Sequence, residues 1–324
     1  MAIPAFTRWF RRMTFALLTM AMTPVMAWPD RPIELVVPYP AGGATDVIAR
    51  MVAEKLPDEL GQPVVVKNQP GAGTTLAAAQ VARAKPDGYT LFMTTAAHTI
   101  SASLYKNLSY DPIADFEPIS LTATIPLILV ATNTLPVNNL EELIAYAKKA
   151  PDGLTMASTG NGTPQHLTGE LFKAQTGAPL KHIPYRGDSP MLTDLLGGQV
   201  QVAFVTLSAA QPYILSGKLR AIALAHSERV ESIKDVPTMA EAGLANFQAA
   251  TWFGTFGPAK MEPKIKTQLQ DAIKKVVATP DMTKKLQAMG GQVNNSTSDA
   301  FAAFINEEVK KWAEGVRLSG ANVD

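Results

Sequence analysis

The chain of 324 residues contains no cysteine. That absence excludes a disulfide framework, a thiolate zinc site and a cysteine nucleophile. Histidine is almost as scarce. His98, His166, His182 and His226 are the only four, and no two have a metal-ligand spacing such as HxxxH. A charge excess is also missing: 29 basic residues face 28 acidic ones, so nothing in the balance points to nucleic acid. Beyond the N-terminus, no apolar stretch is long and unbroken enough to span a bilayer. What the chain does have is apolar bulk. Some 47% of its residues are hydrophobic, enough for a substantial core in one large domain or two.

Residues 1–27 differ from the rest. Arg8, Arg11 and Arg12 form a basic flank, "MTFALLTMAMTPV" is a short apolar run, and "VMA" supplies small residues for a signal peptidase. This is a signal-peptide pattern with cleavage expected after Ala27, giving a soluble exported protein; a retained anchor is the alternative. Arg11-Arg12 hints at twin-arginine export, but its flanks fit poorly. Removing the leader leaves 26 basic and 28 acidic side chains, near −2.

"IELVVPY" (Ile33–Tyr39) is a β-branched run closed by Pro40 and Gly42-Gly43, a buried-strand signal. Ile48, Val52, Leu56 and Leu60 then recur at helical spacing until Gly61. "PVVVKN", "TLAAAQVARA" and "PDGYTLFMTT" extend this to βαβαβ, the pattern of a parallel sheet with helices on both faces. "ISLTATIPLILVAT" (Ile119–Thr132) holds Pro126. Its proline and its length argue against one central strand and suggest a strand pair crossing between two lobes. A second α/β unit follows, with strands "LTMAST", "KHIPYRG", "VQVAFVTL" and "LRAIALAH" alternating with helices. "AATWFGTFGPA" (Ala249–Ala259) is again extended, and the remainder is helical. Two crossings define a hinge and a cleft, and α/β sheets bind ligands beyond the carboxyl ends of their strands.

Two turns stand out. At Gly42-Gly43 a strand meets a helix N-terminus, where unpaired amides and the helix dipole favour an anion. The pattern is neither GxGxxG nor a P-loop, and a plain tight turn is the competing reading. "ASTGNGTPQHL" (Ala157–Leu167) repeats the arrangement, with donors at Ser158, Thr159, Asn161 and Thr163 and amides at Gly160 and Gly162. It carries no GxSxG elbow, and Thr163-Pro164 also reads as an ordinary N-cap and first helical residue. In "PYRGDSP", Arg186 either clamps a carboxylate or is solvated, and Asp188 caps the next helix or faces the cleft. His98 either faces the cleft or sits on a surface loop. His166 reads as a helix-start structural residue rather than a base. Trp252-Phe253 packs the hinge or walls the cleft. No nucleophile–base pair is required by any spacing, so the catalytic signal is weak.

The blocks "WPDRPIELVVPYPAGGATDVIARMVAEKL", "LGQPVVVKNQPGAG", "KPDGYTLFM", "LSYDPIADFEPIS", "ASTGNGTPQHLTGELF", "IPYRGDSPMLTDLLGGQV", "GKLRAIAL", "VPTMAEAG" and "WFGTFGPA" together resemble the Bug/TctC family of periplasmic solute-binding proteins of tripartite tricarboxylate transporters. The resemblance covers the whole mature chain. It implies an α/β, two-lobed type II periplasmic binding protein of the Venus-flytrap kind, with a ligand cleft between lobes joined by two crossing segments, no cofactor and no catalysis. Lobe 1 is expected at 28–124 and 254–324, and lobe 2 at 125–253. The resemblance further implies that Pro40 to Asp46 grips one ligand carboxylate, partly through waters. Ser158 to Thr163 holds the other end, and Tyr185 to Asp188 lines the cleft. The expected ligand-binding set is Tyr39, Ala41, Gly42, Gly43, Asp46, His98, Ser158, Thr159, Gly160, Asn161, Gly162, Thr163, His166, Tyr185, Arg186, Asp188, Val205 and Thr206.

The chain departs from the family pattern in places. Ala41 stands where a second proline is frequent, and Ser101-Ala102 stands where Asn-Pro is common. Val205 stands where an aspartate is common, with the Thr206 hydroxyl beside it. Losing that acid makes an amino-acid ligand less attractive, and gives His98 a place beside a second carboxylate or an aromatic ring. The expected role is capture of a small organic acid, foremost a dicarboxylate, for delivery to inner-membrane permease subunits. The alternatives are an accessory of a membrane sensor kinase and an exported hydrolase or isomerase.

Overall fold

The computed structural model describes residues 28–321; the expected signal peptide, 1–27, lies outside them. The apolar run after Arg31 forms β1 (Ile33–Val37), and the helical spacing after Gly43 forms α1 (Ala44–Lys55). Ile48 and Val52 are its buried stripe, at 0% and 1% exposure. A one-turn α2 (Pro57–Leu60) ends at Gly61, whose φ of 72° is the left-handed conformation that closes a helix. There follow β2 (Val64–Asn68), α3 (Thr75–Ala82), β3 (Thr90–Thr94) and α4 (Ala97–Leu104). β1 pairs in parallel with both β2 and β3, as the βαβαβ pattern requires.

β4 (Phe116–Thr132) is one continuous strand of 17 residues, which corrects the expectation that Pro126 and length forbid it. Up to Pro126, β4 pairs antiparallel with β9 (Ala250–Pro258), whose first residue faces that proline. From Leu127 and Ile128 onward it pairs with β7 (Val202–Thr206) and β8 (Leu219–Leu224). Pro126 therefore stands at the handover between two ladders, where a missing N–H costs least. Register shifts between Pro118 and Ser120 and between Leu121 and Ala123 add the bend that so long a strand needs.

The second half contains α5 (Leu140–Lys149), β5 (Leu154–Ser158), α6 (Pro164–Thr176), β6 (Leu180–Pro184), α7 (Asp188–Leu196) and α8 (Leu207–Leu215). β5 pairs in parallel with β6 and β7. The whole sheet runs β2-β1-β3-β9-β4-β7-β5-β6. β4 thus belongs to both halves, and β9 returns the chain to the first. The C-terminal segment adds α9 (Pro263–Val277), α10 (Pro280–Ala288), β10 (Gln292–Val293) and α11 (Ser298–Ser319).

Trp252 packs in the core rather than walling a cleft. Its ring lies 5.8 Å from Phe301 and 6.2 Å from Phe256. Its indole donates to Glu308 Oε2 at 2.9 Å, and Trp312 donates to the same oxygen at 2.8 Å. One buried carboxylate thereby ties β9 to α11. Among the described residues, no helix is long and apolar enough to cross a membrane.

Candidate functional site: three turns around an interlobe cavity

Three strand-to-helix turns meet between the halves. The first joins β1 to α1. Gly42 adopts φ 84°, a conformation open to glycine. Gly43 is the N-cap of α1 and has no side chain with which to cap it. Residues from elsewhere satisfy these amides: Asp46 Oδ2 accepts from Gly42 N at 2.9 Å, and Asp188 Oδ2 accepts from Ala44 N at 3.0 Å. Asp46 also accepts from Arg50 Nε at 3.0 Å on both oxygens, and from Asn68 Nδ2 at 2.8 Å. Burial pushes the Asp46 pKa up, but the bonds from Arg50, Gly42 and Asn68 outweigh it and hold the carboxyl below its ordinary range. Asp46, expected to grip a ligand, is instead the brace of its own turn.

The second turn, Ser158 to Thr163, caps itself. Thr163 Oγ1 accepts from His166 N at 3.4 Å and donates to the Gly160 carbonyl at 2.8 Å. Gly162 N donates to His166 Nδ1 at 3.2 Å, so that ring nitrogen carries no proton. Ser158 Oγ accepts from Gly160 N at 3.1 Å and lies 2.6 Å from His182 Nε2. His182 and His166 stack with centroids 3.9 Å apart. Burial, then the neighbouring His166, pushes the His182 pKa down to about 3; burial also lowers His166. Ser158 is fully buried and its oxygen is engaged in the turn, so the Ser158–His182 pair braces a loop and does not present a nucleophile.

The third turn joins β2 to α3 and was not singled out from the sequence. Gly71, Ala72, Gly73 and Thr74 take φ of 143°, 45°, 58° and 82° in succession. Ala72 and Thr74 are non-glycine residues at left-handed φ, a strain of about 1 kcal/mol or more each that accumulates at ligand clamps. A Cβ added to Gly73 would lie 2.6 Å from the Asn161 carbonyl and would strike the Tyr105 hydroxyl. The first half thus meets the second turn backbone to backbone. The readable signal was "PGAGTT", two glycines at a strand end.

Between these turns lies a cavity of about 40 Å³, lined by Pro38, Tyr39, Gly71, Ala72, Gly73, Thr74, Thr159, Gly160, Tyr185 and Arg186. That is room for a few waters, so a larger guest requires the halves to part. Thr159 Oγ1 is buried with no hydrogen-bond partner. Arg186 is the one charged side chain in the lining. The two tyrosines are anchored away from it: Tyr39 shares a 2.9 Å bond with Thr95, and Tyr185 donates to Asp194 at 2.7 Å. A roomier groove of about 540 Å³ runs along α9 beside Glu59, Lys264 and Lys275. It touches none of the three turns, and the smaller cavity is the better candidate because both halves build it.

The expected residues fall into three groups. Tyr39, Thr159, Gly160, Tyr185 and Arg186 line the cavity. Ala41, Gly42, Gly43, Asn161, Gly162 and Asp188 form contacts between the halves. Asp46, Ser158, Thr163 and His166 brace turns, as described above. Three expectations are corrected. His98 is wholly buried, 4.5 Å from Phe116 and 5.1 Å from Phe256 by ring centroids. Burial pushes its pKa down to about 4, against the Pro112 carbonyl; α4 turns this side chain inward instead of toward a ligand. Val205 is also fully buried, paired with Ile128 inside the sheet. Thr206 Oγ1 is spent accepting from Gln165 Nε2 at 3.1 Å.

The family model for the tripartite tricarboxylate transporter family receptor, TctC, matches residues 48–320. The chain belongs to the TctC family. Protein BugT of Bordetella pertussis is 38% identical over 298 residues, covering 91% of each chain. The structure of the periplasmic binding protein BugD superposes with a TM-score of 0.87 at 36% identity, covering 91% of this chain and 99% of that one. Rpa4515 of R. palustris, solved with adipate, gives a TM-score of 0.88 at 32% identity, covering 91% and 100%. MatC of Rhodopseudomonas palustris, solved with bound malate, gives 0.85 at 33%, covering 89% and 100%. The two-lobed α/β fold is shared with these structures, of which BugD is a periplasmic binding protein.

Proposed function

We propose that this TctC protein captures a small organic carboxylate, foremost a dicarboxylate, in the periplasm and hands it to the permease subunits of a tripartite tricarboxylate transporter. The leader is removed after Ala27, and the mature protein works as a soluble monomer. The carrying observation is the lining of the interlobe cavity, where one cation, Arg186, and one unpartnered buried hydroxyl, Thr159, are joined by no acidic side chain. Such a lining suits an anion, since guanidinium and hydroxyl both donate to carboxylate oxygens. The binding of adipate and malate by two relatives supports the same class. Lobe 1 is read as the part built on β1–β3 and β9, and lobe 2 as the part built on β5–β8, with β4 shared.

A thermal-shift screen of mono-, di- and tricarboxylates tests the reading. A true ligand at about 100 times its Kd stabilises the protein by about 2.7 kcal/mol. Calorimetry on Arg186→Gln should then show a loss of about tenfold in affinity, near 1.4 kcal/mol. Unchanged affinity in that variant, or no shift with any carboxylate, defeats the proposal.

A further inference from the structure

Asp188 is the first residue of α7, in lobe 2, yet its carboxylate is spent on lobe 1. Its Oδ2 accepts from Ala44 N at 3.0 Å across 144 residues of sequence. The next residue answers in the opposite sense, with Ser189 Oγ donating to the Ala41 carbonyl at 3.0 Å. Small residues permit this approach. A Cβ on Gly43 would lie 3.0 Å from Asp188 Oδ2, and a Cβ on Gly187 would lie 2.6 Å from Pro40 Cδ. Asp188 is 8% exposed and its Oδ1 has no partner. A buried carboxylate without a paired cation is costly. Burial pushes its pKa up, and the bond from the Ala44 amide offsets this only in part; the carboxyl stands at the N-termini of α1 and of its own helix, where dipoles and free amides favour an anion.

Neither Asp188 nor Ala44 lines the cavity between the turns. Asp188 follows two residues after Arg186, which does line it. We propose that Asp188 is a positioning residue for capture: through the Ala44 amide it fastens the two lobes together around the guest without touching it. The inference rests on the reading that the guest lies between the lobes. It also reassigns the α1 N-terminus. The amides of Gly42 and Ala44, expected to face a ligand carboxylate, are held by the protein's own Asp46 and Asp188. A fastening of this kind favours the closed state before any ligand arrives. It therefore raises affinity by one common factor for every guest that binds that state.

The chain has no cysteine, so paired spin labels can be placed cleanly by Glu54→Cys on α1 and Lys218→Cys after α8, both exposed. In the ligand-free mature protein, pulsed electron–electron distances should show a closed population. Asp188→Ala should reduce its ratio to the open form at least fivefold. Asp188→Asn, which keeps an acceptor oxygen and its size, should reduce it less, and serves if the alanine variant folds poorly. Calorimetry should show Kd rising by the same factor for each carboxylate that binds. A wild type without a closed population, or a distance distribution unmoved in Asp188→Ala, overturns the proposal. So does tighter binding in the variant, which would make Asp188 a competitor for the amide. A loss confined to one ligand also overturns it, by making Asp188 a direct contact. If no carboxylate binds the wild type, the proposed function fails while the distance measurement still decides the role of Asp188.

Discussion

The turns that open α1 and α6 share one sequence logic: a buried strand, two glycines and a helix. They are held in opposite ways. The α6 turn is self-contained, because Thr163 caps the helix, His166 takes the Gly162 amide and Ser158 takes that of Gly160. The α1 turn has only glycine at its cap and borrows two carboxylates, Asp46 from one turn along the helix and Asp188 from the other lobe. The α6 turn is complete in itself, whereas the α1 turn is completed by a residue of the other lobe. A turn that leaves its donors to be satisfied from outside can report on closure, whereas one that satisfies them internally can only serve as a fixed wall.

Substitutions should expose this asymmetry. The largest effect is expected from Asp46→Ala, which strands the Gly42 amide, Arg50 and Asn68 around a buried void. A loss of about 3 kcal/mol in urea denaturation is expected; a loss below about 1 kcal/mol would show that the turn is not braced there. Next comes acidification. His98, His166 and His182 are neutral when folded, with pKa values pushed down to about 4 for His98 and about 3 for His182. The unfolded chain protonates near 6.5, so stability is full above that value and falls as pH drops below it. His98 alone should remove about 2 kcal/mol between pH 7.5 and pH 5. His98→Gln should flatten that part of the thermal-unfolding profile. Hydrogen exchange at pH 5 should show loosening at Ser158 to Thr163, beside the two stacked imidazoles, before it appears in the α1 turn. The smallest effect is expected from Thr163→Ala, about 1 kcal/mol from loss of one side-chain cap, visible in the same urea titration.

Much of the fold was legible because it is local. β-branched runs mark β1 and β2, short apolar runs bounded by glycine turns mark β3 and β5, and the spacing of Ile48, Val52 and Leu56 marks α1. The glycine turns were legible as turns for the same reason. What could not be read is what residues far apart do to one another. Pro126 looked like a strand breaker because the sequence does not show that two ladders change hands there. His98 looked available because a strand-end position does not reveal that Phe116 and Phe256 close over it. His182 has no role legible in the sequence because its meaning comes from Ser158, 24 residues away. The strain at Ala72 and Thr74 is a backbone fact with no side-chain signature. Asp188 reads from the sequence as a cap for its own helix or a cleft-lining ligand contact; that it accepts from another helix, in another lobe, is a tertiary fact.

β4 adds a mechanical consequence. Its N-terminal part is knitted to β9, and its C-terminal part to β7 and β8, so the joint between the lobes is a continuous ribbon and not a slack tether. Such a ribbon resists stretching and shear and yields to torsion. In the proposed capture, such a ribbon would confine opening to one arc and return the same surfaces to the same register each time the lobes close.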